Sequence, residues 1–182
     1  MRVSKPDTLF LTRPSVAYAE TFIDALREFH DEGYFVYQNI DEIAADFPAF
    51  VDRLLADETR DATADRVPET LYWLIRRDRG ADTFVARGSI RHELTEHLRH
   101  IGGHIGYAVR PSERRKGYGK EILRLMLPEA KRLGINPVLI TCDADNLGSR
   151  KIIERNGGQF ENAVQYYRDN EIVLKRRYWI HL

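Results

Sequence analysis

The chain has 182 residues, 43% of them hydrophobic, which suits one globular domain over residues 1–182 with a sizeable core. Its 28 Lys and Arg residues balance 28 Asp and Glu residues, so the overall charge does not point to a nucleic-acid partner. A single cysteine excludes an internal disulfide and a cysteine-rich zinc site, no apolar run reaches the roughly 20 residues of a membrane span, and the N-terminal segment lacks the apolar core of a secretory signal. We therefore expect a cytoplasmic protein.

Helical periodicity marks the first third of the chain. Residues 8–12 predict a short strand, and Ser15 opens an amphipathic helix that ends at Gly33. A second helix is predicted over residues 41–56. Pro48 lies inside it and should kink or split that helix, because proline removes a backbone hydrogen bond.

From residue 71 onward, strand-like runs alternate with helical stretches. In chain order the predicted elements are strands at 71–77 and 82–92 with a turn at 79–81, a short helix or loop at 92–100, a strand at 102–109, a helix at 117–133, a strand at 136–142, a helix at 146–156, and strands at 159–164 and 172–180. Such an order favours a mixed α/β sheet. Tyr72, Trp73 and Phe84 are expected in the core, although Trp73 also suits the wall of an acceptor pocket.

Cationic residues and two glycines lie between the predicted strand 102–109 and the helix that follows. The segment VRPSERRKGYGKEIL places them where the first N–H groups of a helix lack intrahelical partners and carry the positive end of the helix dipole. Gly117 and Gly119 permit close approach to these amides, and the cations add attraction. The pattern indicates a seat for a pyrophosphate group.

Two common phosphate-binding motifs do not fit this segment. The Walker A pattern requires Ser or Thr after Gly-Lys, but Glu121 follows Lys120, and the dinucleotide fingerprint requires a third glycine where Ile122 stands. A basic cluster before a helix is also common as a solvated surface, and residues 110–120 would suit a nucleic acid as well. Charge alone leaves these alternatives open.

The spacing of these residues resembles a known signature. RRKGYG (114–119) matches the [QR]-x-x-G-x-[GA] signature of the GNAT acetyltransferase superfamily, NLGS (146–149) resembles its N-x-x-[AS] helix start, and ERNGGQF (154–160) resembles its EKxGF ending. The matches cover roughly residues 70–165 in the family's order, and GGHIGYAVRPSERRKGYG looks like one bacterial branch of that superfamily. The resemblance implies a GNAT fold: a mixed, mostly antiparallel sheet of six to seven strands, flanked by helices and splayed between the fourth and fifth strands.

The resemblance further implies acetyl-CoA as co-substrate, without a metal. Backbone N–H groups of residues 115–120 would hold its pyrophosphate. The strand ending at Val109 would pair with the pantetheine arm, a bulge in that strand would help open the slot, and an N–H near Val109 would polarise the thioester carbonyl. The implied cofactor-binding residues are Ala108, Val109, Arg114, Arg115, Lys116, Gly117, Tyr118, Gly119, Lys120, Asn146 and Ser149.

Acetyl transfer to an amine needs a proton acceptor and a group that neutralises the leaving thiolate. Glu93, His104 and Asp143 are candidate acceptors, and each also has a structural explanation, as a solvated loop carboxylate, a hydrogen-bonded histidine or a helix cap. Many relatives place a tyrosine as thiolate acid where Ile153 stands. Either another tyrosine serves, or the thiolate takes its proton from water. The available tyrosines are Tyr107, Tyr118, Tyr166 and Tyr167.

The predicted function is transfer of an acetyl group to a primary amine by direct attack of the amine on the thioester. Cys142 ends an apolar strand and is therefore expected to be a core residue rather than a nucleophile. We expect a small-molecule amine or a peptide as acceptor, and no nucleic-acid or membrane partner. A non-catalytic acyl-CoA-binding or sensor module of the same fold is the alternative, which Ile153 supports. Many relatives form dimers, so the resemblance also suggests a homodimer.

Overall fold

The computed structural model describes residues 8–63, 66–78, 80–168 and 171–182, so the predicted turn at 79–81 lies partly outside the described residues. The described residues form seven strands and five α-helices. Their order is β1 (Thr8–Thr12), α1 (Ala19–Asp31), α2 (Ile40–Ala45), α3 (Phe47–Ala56), β2 (Glu69–Asp78), β3 (Ala81–Arg91), β4 (Ile105–Val109), α4 (Tyr118–Arg132), β5 (Val138–Asp143), α5 (Leu147–Arg155), β6 (Gln159–Arg168) and β7 (Glu171–Ile180).

The strands form two antiparallel sheets. One has the order β1-β2-β3-β4, and the other has the order β5-β7-β6. The break between the sheets falls between β4 and β5, where the splay was expected. The predicted α+β architecture is therefore confirmed.

Each face of the four-stranded sheet is covered by its own helices and has its own core. On one face, α1 and α3 pack aromatic side chains around Trp73, which is fully buried and stacks on Phe22 with ring centroids 4.6 Å apart. On the other face, α4 and α5 bury residues such as Met126 and Ile153. Since neighbouring strand residues point to opposite faces, Tyr72 belongs to this second core. Trp73 is thus a core residue and does not form a pocket wall.

Proline splits the second predicted helix, as the sequence indicated. Pro48 occupies the first turn of α3, where its missing N–H requires no intrahelical partner. The Asp46 carboxylate accepts a hydrogen bond from the Ala49 N–H at 3.0 Å and so caps α3, while Asn39 caps α2. The first predicted helix also starts later than expected, because residues 16–18 form a 3-10 turn.

The region before β4 differs from the prediction. Leu98–Gly102 forms a single π-helical turn, and β4 begins at Ile105 rather than at residue 102. The ladder between β3 and β4 runs without a register shift, so the bulge expected in β4 is wrong. The irregularity lies instead in β3, where Val85 is skipped in the pairing with β2.

Candidate functional site

Among the described residues, backbone contacts join the two sheets at one end. Gly103 forms a bridge with Ile140, the His104 N–H donates to the Leu139 carbonyl at 2.7 Å, and the Leu139 N–H donates to His104 Nδ1 at 2.9 Å. Gly103 has a φ of +73°, and a Cβ there would lie 2.7 Å from the Leu139 carbonyl oxygen, so glycine permits this close approach. In the described part of the chain, no ladder pairing continues from this junction along β4 and β5, which leaves an opening between them.

The edge of β4 that faces this opening presents backbone groups that pair with no described strand, although the Val109 carbonyl accepts a hydrogen bond from Arg114 Nε at 3.3 Å. The Arg91 N–H donates to the His104 carbonyl, and the Arg110 N–H donates to the Val85 carbonyl. These two bonds show that the even-numbered residues of β4 are the ones hydrogen-bonded to β3. Antiparallel pairs alternate between bonded and non-bonded residues. The intervening odd-numbered residues therefore direct their N–H and C=O groups away from β3 and toward β5. These residues are Ile105, Tyr107 and Val109.

The turn between β4 and α4 forms a concave seat of backbone amides. Arg114, which precedes them, has an extended backbone, whereas Arg115 and Gly117 have positive φ values of 63° and 90°. This alternation of backbone conformation directs successive N–H groups to one side. Among described residues, the six N–H groups of residues 115–120 donate to no protein acceptor. Gly117 is exposed, and it precedes the first residue of α4. The turn and the dipole of α4 together can bind an anion.

Acidic residues of α1 hold the start of this turn in place. Glu28 pairs with Arg110 at 2.7 Å and accepts hydrogen bonds from the Ser112 N–H and hydroxyl, each at 3.0 Å. Glu32, the C-cap residue that follows α1, pairs with Arg114 at 2.7 Å. No local pattern in the sequence indicates these contacts. The four-residue spacing of the two glutamates shows that they share a helix face, but it does not reveal partners 82 or more residues away.

A buried carboxylate anchors the middle of the turn. Glu113 accepts a 2.6 Å contact from Arg76 of β2 and a 3.0 Å contact from Lys116. Arg76 also donates to the Tyr118 hydroxyl at 3.1 Å. Together with the α1 pairs, these contacts neutralise Arg110, Arg114 and Lys116. The positive charge that the described contacts leave unpaired in this segment is that of Arg115 and Lys120, two exposed residues at the seat itself.

The start of α5 lies across the opening from β4. Asn146 caps α5 through its side-chain oxygen, which accepts the Ser149 N–H at 2.9 Å. Tyr107 extends to this side, and burial raises the pKa of its phenol to about 12, while nearby Ser149 acts in the opposite direction. The buried Tyr107 hydroxyl nevertheless has no hydrogen-bond partner of good geometry among described residues. Cys142 of β5 is also close to it.

His104 and Glu93 both lie at the joined end of the opening. Burial, together with the positive charges of Arg99 and Arg91, lowers the pKa of His104 to about 4. Because Nδ1 accepts the Leu139 N–H, His104 is neutral and its geometry favours a structural role. Glu93 is exposed and follows the end of β3, beside the same junction.

The remaining candidates at β5 and β6 are constrained by ion pairs or burial. Asp143 contacts Lys175 at 2.6 Å and Arg168 at 3.1 Å, and these partners hold the pKa of Asp143 below its usual value although burial acts to raise it. The Tyr166 hydroxyl lies 3.5 Å from this same carboxylate. Burial raises the pKa of the Cys142 thiol to about 11, which keeps it protonated and poorly nucleophilic.

The described residues include no cluster of three or more His, Cys, Asp or Glu side chains arranged to hold a metal ion. None of the described helices combines the length and apolar character needed to cross a membrane.

The chain is similar to a known protein family and to several solved structures. A family model for the acetyltransferase (GNAT) domain matches residues 11–159. The microcin C7 self-immunity acetyltransferase MccE, solved with acetyl-CoA and AMP, is 17% identical with a TM-score of 0.68, over 96% of this chain and 92% of that chain. RimL, a ribosomal L7/L12 α-N-protein acetyltransferase solved with coenzyme A, is 16% identical with a TM-score of 0.67, over 96% and 94% of the two chains.

A Salmonella typhimurium acetyltransferase that modifies the N-terminal serine of the 50S ribosomal subunit protein L7/L12 is 16% identical with a TM-score of 0.66, over 96% of this chain and 95% of that chain. At these identities the structural likeness shows the fold alone. Among curated proteins, none matches this sequence.

Proposed function

Since the chain belongs to the GNAT acetyltransferase family, we propose that it is an acetyl-CoA-dependent N-acetyltransferase that acts on a primary amine. The observation that carries the proposal is the row of six unbonded amides at residues 115–120, which adjoins the free edge of β4. Acetyl-CoA fits both features, because its pyrophosphate suits the seat and its pantetheine amides suit a strand edge. When bound there, it would supply an activated acetyl thioester.

The chain's own residues would position this co-substrate. Arg115 and Lys120 add positive charge at the seat, and the other cations of the turn are held by carboxylates in fixed positions. The free N–H groups of Tyr107 and Val109 would orient the pantetheine arm along β4. From Val109 the strand runs about 16 Å back to His104, at about 3.3 Å per residue, so the reacting end would lie toward the junction of the sheets.

The Tyr107 hydroxyl is the hydrogen-bond donor that we assign to the leaving sulfur. It is buried beside the opening with no well-aligned hydrogen-bond partner among described residues, although Ser149 is close, and it lies on the side of α5 where Ile153 replaces the family's tyrosine. Because its raised pKa keeps the phenol protonated, Tyr107 would stabilise the thiolate by donating a hydrogen bond rather than by giving up its proton. The sulfur would then take its proton from water. This assignment replaces Tyr166, which is engaged with Asp143.

Glu93 stays the proton acceptor of this proposal, directly or through water. It lies two residues after the end of β3, whose last residue Arg91 bonds to His104 at the junction toward which the reacting end of the co-substrate would point. His104 is less suited, because its Nδ1 is occupied by Leu139 and its lowered pKa makes it a weak base for an ammonium group. Asp143 is held ionised by two cations.

The acceptor class is a small-molecule amine or a peptide. Two of the structurally similar proteins are described as acting on the N-terminus of a ribosomal protein, which supports including peptide N-termini. The nucleic-acid alternative has lost support, because Glu28, Glu32 and Glu113 pair with three of the cations on which it rested. Dimer formation stays a prediction.

Calorimetric titration with acetyl-CoA, followed by mass spectrometry of a mixed amine library, tests the proposal. We expect binding and a product 42 Da heavier than one of the amines, the mass of an added acetyl group. Binding without any product would favour the non-catalytic acyl-CoA module. If acetyl-CoA does not bind, the proposed function is wrong.

A further inference from the structure

One arginine on the helix α1 face of the sheet has no anionic partner. Arg87 of β3 lies directly opposite Ala108 of β4. Opposite residues of an antiparallel pair share a face, and Ala108 packs in the core formed with α1 and α3. The guanidinium lines a crevice between the sheet and α1 that is too narrow to hold a water molecule. The other lining residues are Phe22, Ala25, Leu26, Phe29 and Phe84.

Arg87 is half-buried, and its guanidinium is incompletely satisfied. Its carbon lies 4.7 Å from the centre of the Phe35 ring, a residue of the loop between α1 and α2. Its Nη1 is buried without a hydrogen-bond partner, and no described carboxylate lies within 4.0 Å of it. Burial lowers the pKa of Arg87, and the more distant Tyr37 and Glu69 counteract this only in part.

Two other half-buried arginines near the β4–α4 turn have carboxylate partners. Arg76 pairs with Glu113 and Arg110 pairs with Glu28, at 2.6 and 2.7 Å. A buried cation without such a partner destabilises the fold, because desolvation is not offset by an opposite charge. A ligand that supplies an anion would remove this penalty.

We propose that Arg87 binds a carboxylate of the acceptor, so that the acceptor class is amines that carry a carboxylate a few bonds from the amino group. A planar carboxylate matches the planar fork of a guanidinium. Free amino acids and peptides with an acidic N-terminal region share this chemistry. The inference rests on the proposed acetyltransferase function and names the substrate class of that same site.

The position of Arg87 suits an acceptor subsite. It lies one strand, about 4.8 Å, from the free edge of β4, and it is level with Ala108, between Tyr107 and Val109. Helices cover both faces of the sheet, and Arg87 lies on the α1 face beside the β4 edge along which the pantetheine arm would run.

The loop between α1 and α2 adds a second polar group and an exposed rim. Gln38, whose N–H donates to the Phe35 carbonyl, has a buried Oε1 atom without a donor. This oxygen can accept a hydrogen bond from an amine. Tyr34, Val36 and Tyr37 of the same loop are 59%, 62% and 78% exposed, which provides an apolar border for a substrate larger than an amino acid.

The test compares matched amines in which one group is either a carboxylate or its neutral amide. Alanine is paired with alaninamide, and the dipeptide Ala-Glu is paired with Ala-Gln. In the wild type we expect kcat/KM to be at least tenfold higher for an acidic member. The pair that shows the preference tells whether Arg87 recognises an α-carboxylate or a side-chain carboxylate. A comparison of phosphoethanolamine with β-alanine tests whether a tetrahedral anion can replace the carboxylate.

Arg87→Met is the decisive variant, and Arg124→Met is its control, since Arg124 is an exposed arginine paired with Glu121 on α4. We expect Arg87→Met to abolish the preference while the KM for acetyl-CoA and the rate with neutral amines are unchanged. Its melting temperature should equal or exceed that of the wild type, because an unpaired buried cation is removed. A wild type without preference for acidic amines, or a variant that keeps it, overturns the proposal.

A binding measurement covers the case in which no amine of the panel turns over. In the presence of coenzyme A, N-acetylalanine should raise the melting temperature of the wild type and not that of Arg87→Met, whereas N-acetylalaninamide should affect neither. Equal shifts with both compounds overturn the inference while leaving the acetyltransferase function intact. Failure to bind acetyl-CoA at all would instead contradict the proposed function.

Discussion

A glutamate at position 117 tests the placement of the anion seat. Gly117 has a φ of +90°, and a Cβ there would meet no atom within 4 Å, so the side chain itself is tolerated. Gly134, at the other end of α4, has a φ of +79° and is equally open. A non-glycine residue in this left-handed region costs about 1–2 kcal/mol. Gly117→Glu and Gly134→Glu should therefore lose similar stability, a few degrees of melting temperature each.

The two variants should differ in their affinity for acetyl-CoA. A carboxylate about 4 Å from a phosphate charge is repelled by about 1 kcal/mol at the dielectric constant of water and by about 4 kcal/mol at an effective value of 20. Because 1.4 kcal/mol is about tenfold in Kd, Gly117→Glu should weaken binding by about fivefold to a thousandfold. Because Gly117 is exposed, salt screens the repulsion, so the loss of affinity at high salt should lie in the lower part of this range.

Calorimetry with acetyl-CoA at two salt concentrations measures this difference. The wild type and Gly134→Glu should bind equally, and the defect of Gly117→Glu should be larger at low salt. If Gly117→Glu binds within twofold of the wild type, the pyrophosphate does not sit on these amides. Equal losses in both variants would show that destabilisation of α4, rather than charge in the seat, is the cause.

Three further predictions concern single side chains. Tyr107→Phe should lower kcat about 10- to 150-fold, which corresponds to the loss of one hydrogen bond to a charged group. The KM for acetyl-CoA should not change and the melting temperature should not fall. Steady-state kinetics and scanning calorimetry measure these quantities. Because burial lowers the pKa of His104 from 6.5 to about 4, the unfolded chain binds a proton between these values that the folded chain does not, so stability should fall as pH falls through this window. Urea unfolding at pH 7 and pH 4.5 should show that His104→Asn lacks this part of the pH dependence, and an identical dependence in both proteins would refute it. Cys142→Ala should keep kcat within about threefold, since a buried thiol with a pKa raised to about 11 is not a nucleophile, and a complete loss of turnover would reopen an acetyl-cysteine route.

Local patterns in the sequence were sufficient for the elements and for the turn between β4 and α4. Period-two and period-3.6 runs located the strands and helices to within a few residues, and Pro48 marked the break between α2 and α3. The spacing of Gly117 and Gly119 after a strand located the turn before α4, because the backbone conformation of a short turn depends on the residues within it. The bulge assigned to β4 by resemblance was wrong, since the ladder irregularity lies at Val85.

Only the tertiary structure decided which side chains remain available at the site. Arg110 and Arg114 were indistinguishable from Arg115 in the sequence, yet α1 neutralises the first two and leaves the third at the seat. Likewise, no local pattern marks Arg87 as a cation without a carboxylate. Local periodicity depends on neighbours within a few residues, whereas charge pairing and burial depend on contacts between segments about 80 residues apart, which exist only once the chain has folded.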